Sequence, residues 1–143
     1  MASRARLILM VLCIMASCII SCDKMDENGP LDGNWQLTEW RTADGNTIVA
    51  TNHTLRLYYT VKLNLLKLQI FGAKPTFVLA YFQHTADSLI VTQAFARPYD
   101  DYLPLDSLSI YGCPPDGRFH ITALSHNTLK LQSQDAILSF RKY

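Results

Sequence analysis

Short segments in which apolar and polar residues alternate restrict the fold of this chain more than any other feature. In the clearest one, every second residue is apolar, at Leu55, Leu57, Tyr59 and Val61. A period of two is typical of a strand with one buried face, because successive side chains of a strand point to opposite sides of its sheet. Further strand-like segments lie at 31–40, 66–70, 77–84, 88–95, 118–124, 128–132 and 136–142.

Turn signals separate these segments, for example at Ala43–Asn46, Gly72–Pro75 and Thr85–Asp87. Leu108–Tyr111 is a short element whose type the pattern leaves open, and beyond the N-terminal apolar run no helical periodicity is sustained. We therefore predict an all-β domain, built as a closed antiparallel up-and-down meander of about eight strands. Sequential hairpins need only short links, and closure removes the exposed strand edges that a two-sheet sandwich must hide.

The N-terminal segment has the features of a bacterial secretory signal. A basic start precedes an apolar run of 14 residues, Leu7–Ile20, which is shorter than the roughly 20 residues of a membrane-spanning helix. Ile19-Ile20-Ser21-Cys22 at its end resembles the lipobox of bacterial lipoproteins. That resemblance implies cleavage before Cys22 and acylation of its thiol, with Cys18 as a second candidate. Two or more acyl chains would anchor the protein stably in a membrane.

The chain is thereby predicted to have three parts: a lipoprotein signal peptide at 1–21, an acylated N-terminus and polar tether at 22–32, and a barrel domain at 33–143. Asp23, Asp26 and Glu27 are similar to the acidic residues that follow the cysteine in surface lipoproteins of Bacteroidetes. We therefore expect the protein in the cell envelope, lipid-anchored to the outer membrane, in its periplasmic or its surface-facing leaflet.

The charge and the cysteine content further limit the classes of protein to which this chain can belong. Removal of the first 21 of 143 residues leaves 122, enough for one domain. With Arg4 and Arg6 lost, 11 Lys and Arg face 12 acidic residues, so there is no electrostatic reason to expect a nucleic-acid partner. Cys113 becomes the one remaining free thiol, which excludes an intramolecular disulfide. Since no basic residue lies beside it in sequence, we predict that it is buried rather than reactive.

The two ends of the domain carry a resemblance to a known family. The first strand opens with a Gly-x-Trp motif, in Leu31-Asp32-Gly33-Asn34-Trp35. The last strands contain Phe119-His120-Ile121, Leu129-Lys130-Leu131 and Leu138-Ser139-Phe140-Arg141. Together these segments resemble the small lipocalin-like lipoproteins of Bacteroidetes, whose function is largely uncharacterised. A META-type domain, which also opens with Gly-x-Trp and ends in short strands, is the nearest alternative.

The lipocalin pattern implies a structural closure of the barrel by Gly33, Trp35 and Arg141. In that pattern the tryptophan of Gly-x-Trp packs at the closed end beneath an arginine from a late strand, and Arg141 is the matching position. A cation stacked on an indole contributes about 0.5–2 kcal/mol. The contact would tie the first strand to the last.

The sequence shows no convincing catalytic or metal-binding constellation. His84, Asp87 and Ser88 are close together, but a hydrolase also needs an oxyanion site and an activated hydroxyl, and a hairpin turn explains these residues better. His120 and His126 share strand parity but are roughly 20 Å apart if extended, too far to share one ion. We therefore predict that the protein is not an enzyme and binds neither a metal nor another cofactor.

Aromatic side chains are the candidates for a binding site. An eight-stranded barrel is either packed solid by its own side chains or holds one small ligand, and the sequence leaves both alternatives open. The loop Pro98–Pro104, rich in Tyr and Asp, is a candidate mouth or partner surface, since loops on a rigid barrel commonly carry recognition. The residues assigned to a ligand site are Tyr59, Tyr81, Phe82, Phe95, Tyr99 and Tyr102.

These observations support two functional hypotheses. The first is a lipid-anchored envelope binding protein without catalysis, whose lumen or open end accepts a small apolar molecule or peptide. The alternative is a surface adaptor or inhibitor with a solid barrel, which binds another protein through its loops. A cavity lined by Tyr59, Tyr81 and Phe82 would favour the first hypothesis, and a filled barrel with exposed aromatics around Tyr99 and Tyr102 would favour the second.

Overall fold

A computed structural model describes residues 27–50, 56–97 and 101–143, and these form one antiparallel sheet that closes on itself. The strands are β1 (Gly33–Thr42), β2 (Thr47–Ala50), β3 (Arg56–Lys62), β4 (Leu65–Phe71), β5 (Thr76–His84), β6 (Ser88–Phe95), β7 (Tyr102–Leu103), β8 (Arg118–Leu124), β9 (Thr128–Gln132) and β10 (Ala136–Lys142). Two 3-10 helices accompany them, Gly29–Leu31 before β1 and Leu105–Tyr111 between β7 and β8.

Eight of these strands form the closed ring. Neighbours follow the order β1, β3, β4, β5, β6, β8, β9, β10, and β10 pairs with β1 to complete the circle. The closing pair is in register from Trp35 opposite Lys142 to Thr42 opposite Ala136, with one irregularity between Leu37 and Glu39. The predicted all-β, lipocalin-like barrel of eight antiparallel strands is thus confirmed.

Two strands of the ring each change partner along their length. The first residues of β1, Gly33–Gln36, pair with β3, whereas Glu39–Arg41 pair with β2. Likewise the start of β6 pairs with β8, whereas Ala94 and Phe95 pair with β7. The short strands β2 and β7 were not predicted, because segments of four and two residues are too short to show an alternating pattern.

The barrel has two different ends. One end, which we call the closed end, holds Gly33 at the start of β1, Lys142 at the end of β10 and the turn between β3 and β4. The other, which we call the mouth, holds the turn at residues 43–46 and the turn at residues 133–135. A hydrogen bond from the backbone N–H of Ala43 to the carbonyl of Asp135, with N and O 3.0 Å apart, joins these two turns.

Residues 28–32, predicted as part of a polar tether, instead cap the closed end. Leu31 is fully buried in the barrel core. The Asn28 side chain donates to a carboxylate oxygen of Asp32 over 2.6 Å and to the carbonyl of Leu63 over 2.8 Å. Because Leu63 lies in the turn between β3 and β4, the chain is fixed to the barrel from Asn28 onward.

The core is one cluster of inward side chains that every ring strand contributes to, together with residues from the two 3-10 segments. The predicted alternation appears directly in β3, where Leu57, Tyr59 and Val61 are buried and their neighbours are not. The cluster and the sheet lie within residues 31–142. A chain that begins at Asp23 therefore contains the whole barrel.

The signal peptide, Cys22 and the alternative Cys18 lie outside the described residues, so their processing stays a prediction. Within the described part of the chain, no helix is long and apolar enough to cross a membrane.

Candidate functional site

The interior of the barrel is filled around Tyr59. Its ring is buried and packs on Phe140, with ring centroids 4.7 Å apart. Its hydroxyl donates to the carbonyl oxygen of Tyr111 over 2.6 Å, and burial raises the pKa of this phenol well above its ordinary value. Phe82 also points inward and belongs to the same cluster. The structure therefore places Tyr59 and Phe82 as core residues.

A segment of the chain enters the barrel from the mouth. It consists of the 3-10 helix Leu105–Tyr111 and the residues to Cys113, and we call 105–113 the plug. Leu108, Tyr111 and Cys113 are buried in the barrel core, and Leu105 packs against it. Asp106, Ser107, Ser109 and Ile110 face solvent. The plug helix ends at Gly112 in a left-handed conformation with φ of 79°. The short element predicted at 108–111, whose secondary-structure type the sequence left open, thus belongs to the segment that fills the barrel.

The remaining aromatics assigned to a ligand site do not line the interior. Tyr81 is exposed on the outer face of β5, and Tyr102 is 61% exposed beside the mouth. Phe95 is buried, but it pairs with outward-facing Leu79 and its ring contacts Tyr81 at 5.3 Å. Strand parity explains why the prediction for Tyr81 and Phe95 was wrong. Successive side chains of β5 and β6 alternate between the inside and the outside of the barrel, and these two occupy outward positions. Tyr99 lies outside the described residues.

A tryptophan that was not predicted as a site residue lies at the mouth. Trp40 pairs with Leu138 across β1 and β10 and packs against the core cluster. A Cβ built on Gly112 of the plug would lie 3.5 Å from the ring of Trp40 and 3.0 Å from Leu138, so plug and indole are in close contact. The indole Nε1–H of Trp40 is buried and has no hydrogen-bond partner in the part of the chain that the structure describes. Buried N–H donors are nearly always paired in native proteins.

The closed end is built around Trp35, as predicted. The indole is fully buried, and its Nε1–H donates to the carbonyl of Leu31 over 2.8 Å. Gly33 has φ of 126°, and a Cβ there would lie 2.6 Å from Cε of Lys142. The backbone conformation requires a glycine here, and a side chain would also displace the end of Lys142.

The cation over Trp35 is Lys142, so the prediction for Arg141 is wrong. Lys142 Nζ lies 4.9 Å from the ring centroid and also donates to the carbonyl of Pro30 over 3.1 Å. Arg141 is on the outer face, where its guanidinium donates to the Gln36 side chain over 2.8 and 3.0 Å. Since Phe140 points inward, strand parity turns Arg141 outward and Lys142 inward. This parity was readable from the sequence.

A recess of about 1080 Å³ opens beside this cap. It lies between the N-terminal 3-10 helix and the turn from β3 to β4, and its charged or titratable side chains are Asp32, Lys62, His126 and Lys142. It contains none of the aromatics that were assigned to a ligand site. A second recess, of about 450 Å³, lies outside the barrel along β6, β8 and β9, with His120 and Arg118 in its wall.

The residues considered for hydrolysis form a hairpin turn. The hydroxyls of Thr85 and Ser88 both donate to Oδ1 of Asp87, over 2.8 and 2.9 Å. These bonds lower the pKa of the Asp87 carboxyl. Ser88 is therefore held by an acceptor rather than by His84, whose Nδ1 lies 3.4 Å from the carbonyl of Thr85.

Cys113 is buried in the plug, as predicted from the sequence. Burial, with a smaller contribution from the Asp116 carboxylate, raises the pKa of its thiol to about 12. The thiolate, which is the reactive form, is therefore rare at neutral pH.

Comparisons with known proteins agree with this architecture. The family model described as "Lipocalin-like domain" matches residues 14–143. The fold is similar to a lipocalin-like protein from Bacteroides uniformis, with 19% identity, a TM-score of 0.61, and coverage of 80% of this chain and 100% of that one. An uncharacterized protein from Bacteroides eggerthii has 17% identity and a TM-score of 0.57, with coverage of 78% and 98%. A protein from Burkholderia xenovorans, solved by NMR, has 13% identity and a TM-score of 0.52, with coverage of 87% and 92%. No curated protein matches the sequence.

The closure of the barrel can be tested by separating Lys142 from Arg141. In Lys142→Met the apolar stem remains, but the cation over Trp35 and the bond to Pro30 are lost, so we expect a loss of about 1 kcal/mol in the free energy of unfolding. Arg141→Met, the matched control, removes only exposed hydrogen bonds, and its change should stay within about 0.5 kcal/mol. Urea unfolding of the two variants measures both values. A larger loss in the arginine variant would contradict the assignment.

The thiol of Cys113 should react slowly in the folded protein. At pH 8 a pKa of about 12 leaves about one thiol in ten thousand ionised. In a chain of residues 23–143, which has no other cysteine, a disulfide reagent such as dithionitrobenzoate should label the native protein far more slowly than the urea-unfolded one. Equal rates in the two states would show that the plug does not protect the thiol.

Proposed function

We propose that this chain, which belongs to the lipocalin-like domain family, is a non-catalytic binding protein of the bacterial cell envelope. In this proposal it is anchored by acylation of Cys22 and accepts a small apolar molecule at the mouth of its barrel. The proposal takes the open end, rather than the deep lumen, as the binding site.

The unpaired indole of Trp40 carries the proposal. Its Nε1–H is buried at the mouth, between β10 and the plug, and has no partner among residues 27–50, 56–97 and 101–143. Leaving a donor buried without a partner costs about 1–3 kcal/mol. Because this N–H is buried, a molecule that reaches it must separate the plug from the indole. A carbonyl or ether oxygen placed there would recover that energy, while the apolar part of the molecule would contact the ring and Leu138.

The deep lumen is a poorer place for a ligand, because the plug already fills it. A molecule that replaced Leu108 and Tyr111 would have to expose both side chains, at about 1.5–3 kcal/mol each. It would also break the bond from the Tyr59 hydroxyl to the Tyr111 carbonyl. Binding at the mouth leaves these contacts in place.

The charge of the mouth favours a neutral or cationic molecule. Carboxylates lie in the turns after β1 and β9, at Asp44 and Asp135, within the plug at Asp106 and just beyond it at Asp116. The cations of this end, Arg56 and Lys74, lie at the ends of β3, β4 and β5. An anion approaching Trp40 would meet the field of these carboxylates, whereas a neutral acceptor would not. We therefore expect fatty acids to bind less well than neutral amphiphiles of similar size.

The envelope assignment is supported by the N-terminal sequence and by the resemblance to lipoproteins of Bacteroidetes. Asn28 fixes the chain to the closed end, so an acylated Cys22 would hold that end towards the membrane. The mouth, at the opposite end, would remain accessible.

Binding at the mouth can be tested with Nile red, a neutral fluorophore that carries a carbonyl acceptor. We expect its emission to rise on titration with the chain 23–143. Trp40→Phe keeps an aromatic ring but removes the donor, and should weaken binding about 5- to 30-fold. Leu63→Ser, which changes an exposed apolar side chain at the closed end, should retain the affinity. Equal affinity for wild type and Trp40→Phe would contradict the mouth site.

The anchor is tested by metabolic labelling with radioactive palmitate in a bacterial host that processes lipoproteins. The wild type and Cys18→Ser should carry label and fractionate with membranes. Cys22→Ser should carry none and should leave the membrane fraction. If Cys18→Ser loses the label instead, the acylated residue is Cys18. Absence of label from the wild type would refute the anchor.

A second function, a surface adaptor that binds another protein, is favoured by different side chains. Tyr102 is 61% exposed and Ile110 of the plug is 58% exposed, and both lie at the mouth. Exposed aromatic and aliphatic side chains of this kind are common in protein interfaces. If Nile red does not bind, and the protein is recovered from cells without a bound small molecule, the adaptor becomes the better explanation.

A further inference from the structure

The outer face of β3, β4 and β5 combines exposed rings with a single sign of charge. We call the outward side chains of these strands the basic aromatic face, and its principal members are Tyr58, Lys62, Lys67, Phe71, Phe77 and Tyr81. Phe71, Phe77 and Tyr81 are 41%, 45% and 37% exposed. On a soluble barrel, outward positions at mid-strand are normally polar.

The charge of this face is uniform. No Asp or Glu occurs in the sequence between Gly45 and Ala86, whereas Arg56, Lys62 and Lys67 all lie on the three strands. Lys74 adds a fourth cation in the turn between β4 and β5. The chain as a whole is nearly neutral, so its acidic residues are concentrated elsewhere, several of them at the mouth.

Cations and rings are interleaved rather than separated on this face. Lys67 Nζ lies 5.1 Å from the ring centroid of Phe77. The rings of Tyr58 and Phe71 meet edge to face with centroids 5.4 Å apart. Lysines with apolar stems beside tyrosine and phenylalanine rings match the interfacial layer of a bilayer, where rings lie at headgroup depth and amines reach the phosphates.

The chain enters the barrel at the edge of the same face. Asn28 donates to the carbonyl of Leu63 over 2.8 Å, and Leu63, next to Lys62, is itself 43% exposed. Five residues lie between Cys22 and Asn28, so the six steps of a fully extended chain span only about 20 Å. An acyl group on Cys22 would keep this edge of the face within that distance of the bilayer.

From these observations we propose that the basic aromatic face lies against the anionic headgroup layer of a lipid bilayer. The occupant is the membrane surface itself, because charge complementarity and the short tether both direct this face towards it. The four cations contact lipid phosphates, and the exposed rings enter the interfacial layer. Asp44 and Asp135 lie in the turns after β1 and β9 and therefore outside this face. The orientation in the cell rests on the proposed acylation of Cys22, but the affinity of the face does not.

The test uses the unacylated chain 23–143 and sedimentation with vesicles. We expect it to bind vesicles of phosphatidylcholine mixed with phosphatidylglycerol more tightly than vesicles of phosphatidylcholine alone, and to be released by added salt. Each lysine near an anionic surface contributes about five-fold to binding. The double variant Lys62→Glu, Lys67→Glu should therefore lose about 25-fold or more.

The matched control makes the same change of charge on the other side of the ring. Lys130 lies on the outer face of β9, opposite β4 in the order of strands, and Arg118 lies on the neighbouring β8. The double variant Arg118→Glu, Lys130→Glu should keep most of the binding to anionic vesicles. Phe77→Ser should weaken binding while leaving its dependence on salt unchanged. Thermal unfolding of each variant confirms that the barrel remains folded.

Three results would overturn the proposal: no preference for anionic vesicles, equal losses in the two double variants, or a dimer formed through this face instead of vesicle binding. Because Cys22 is absent from the tested chain, failure here leaves the palmitate experiment unaffected. Conversely, loss of palmitate labelling would refute the anchor without changing the vesicle result.

Discussion

Every other feature of this structure depends on the antiparallel pairing of β1 with β10. This pairing converts a row of hairpins into a ring, which leaves the eight ring strands with partners on both sides. It is reinforced at the closed end, where Lys142 lies over Trp35 and the backbone N–H of Tyr143 donates to the carbonyl of Asn34 over 2.8 Å. The complete ring encloses the interior that residues 28–32 cap at one end and the plug fills from the other.

The sequence predicted the ring strands well, because their alternation reflects a physical requirement to bury one face. It did not predict β2, β7 or the plug, since each depends on which neighbour the folded sheet offers. Lys142 was missed although its parity with Phe140 indicated an inward side chain. Residue type alone could not show which of the six aromatic residues assigned to a ligand site lie in the core and which lie on the surface. Tyr59 became a core residue and Tyr81 a surface one because of their strand positions.

The sequence analysis predicted neither the Trp40 site at the mouth nor the basic aromatic face, for different reasons. Trp40 is distinguished by an N–H that finds no partner among the described residues, which is a property of its neighbours and not of its residue type. The basic aromatic face, in contrast, had a direct signal in the run without acidic residues from Gly45 to Ala86. A balanced total charge concealed it, because the carboxylates at the mouth offset the lysines of β3 and β4.

Joining the beginning of a chain to its end has a consequence for biogenesis. The partner of Trp35 is Lys142, so the ring cannot form until nearly the whole polypeptide is available. Contacts so distant along the chain form slowly. A ribosome-bound or partly exported chain would therefore remain open, and such a chain can be threaded through a narrow export channel. If the chain is exported as proposed, the late seam between β1 and β10 would delay its folding until translocation is complete.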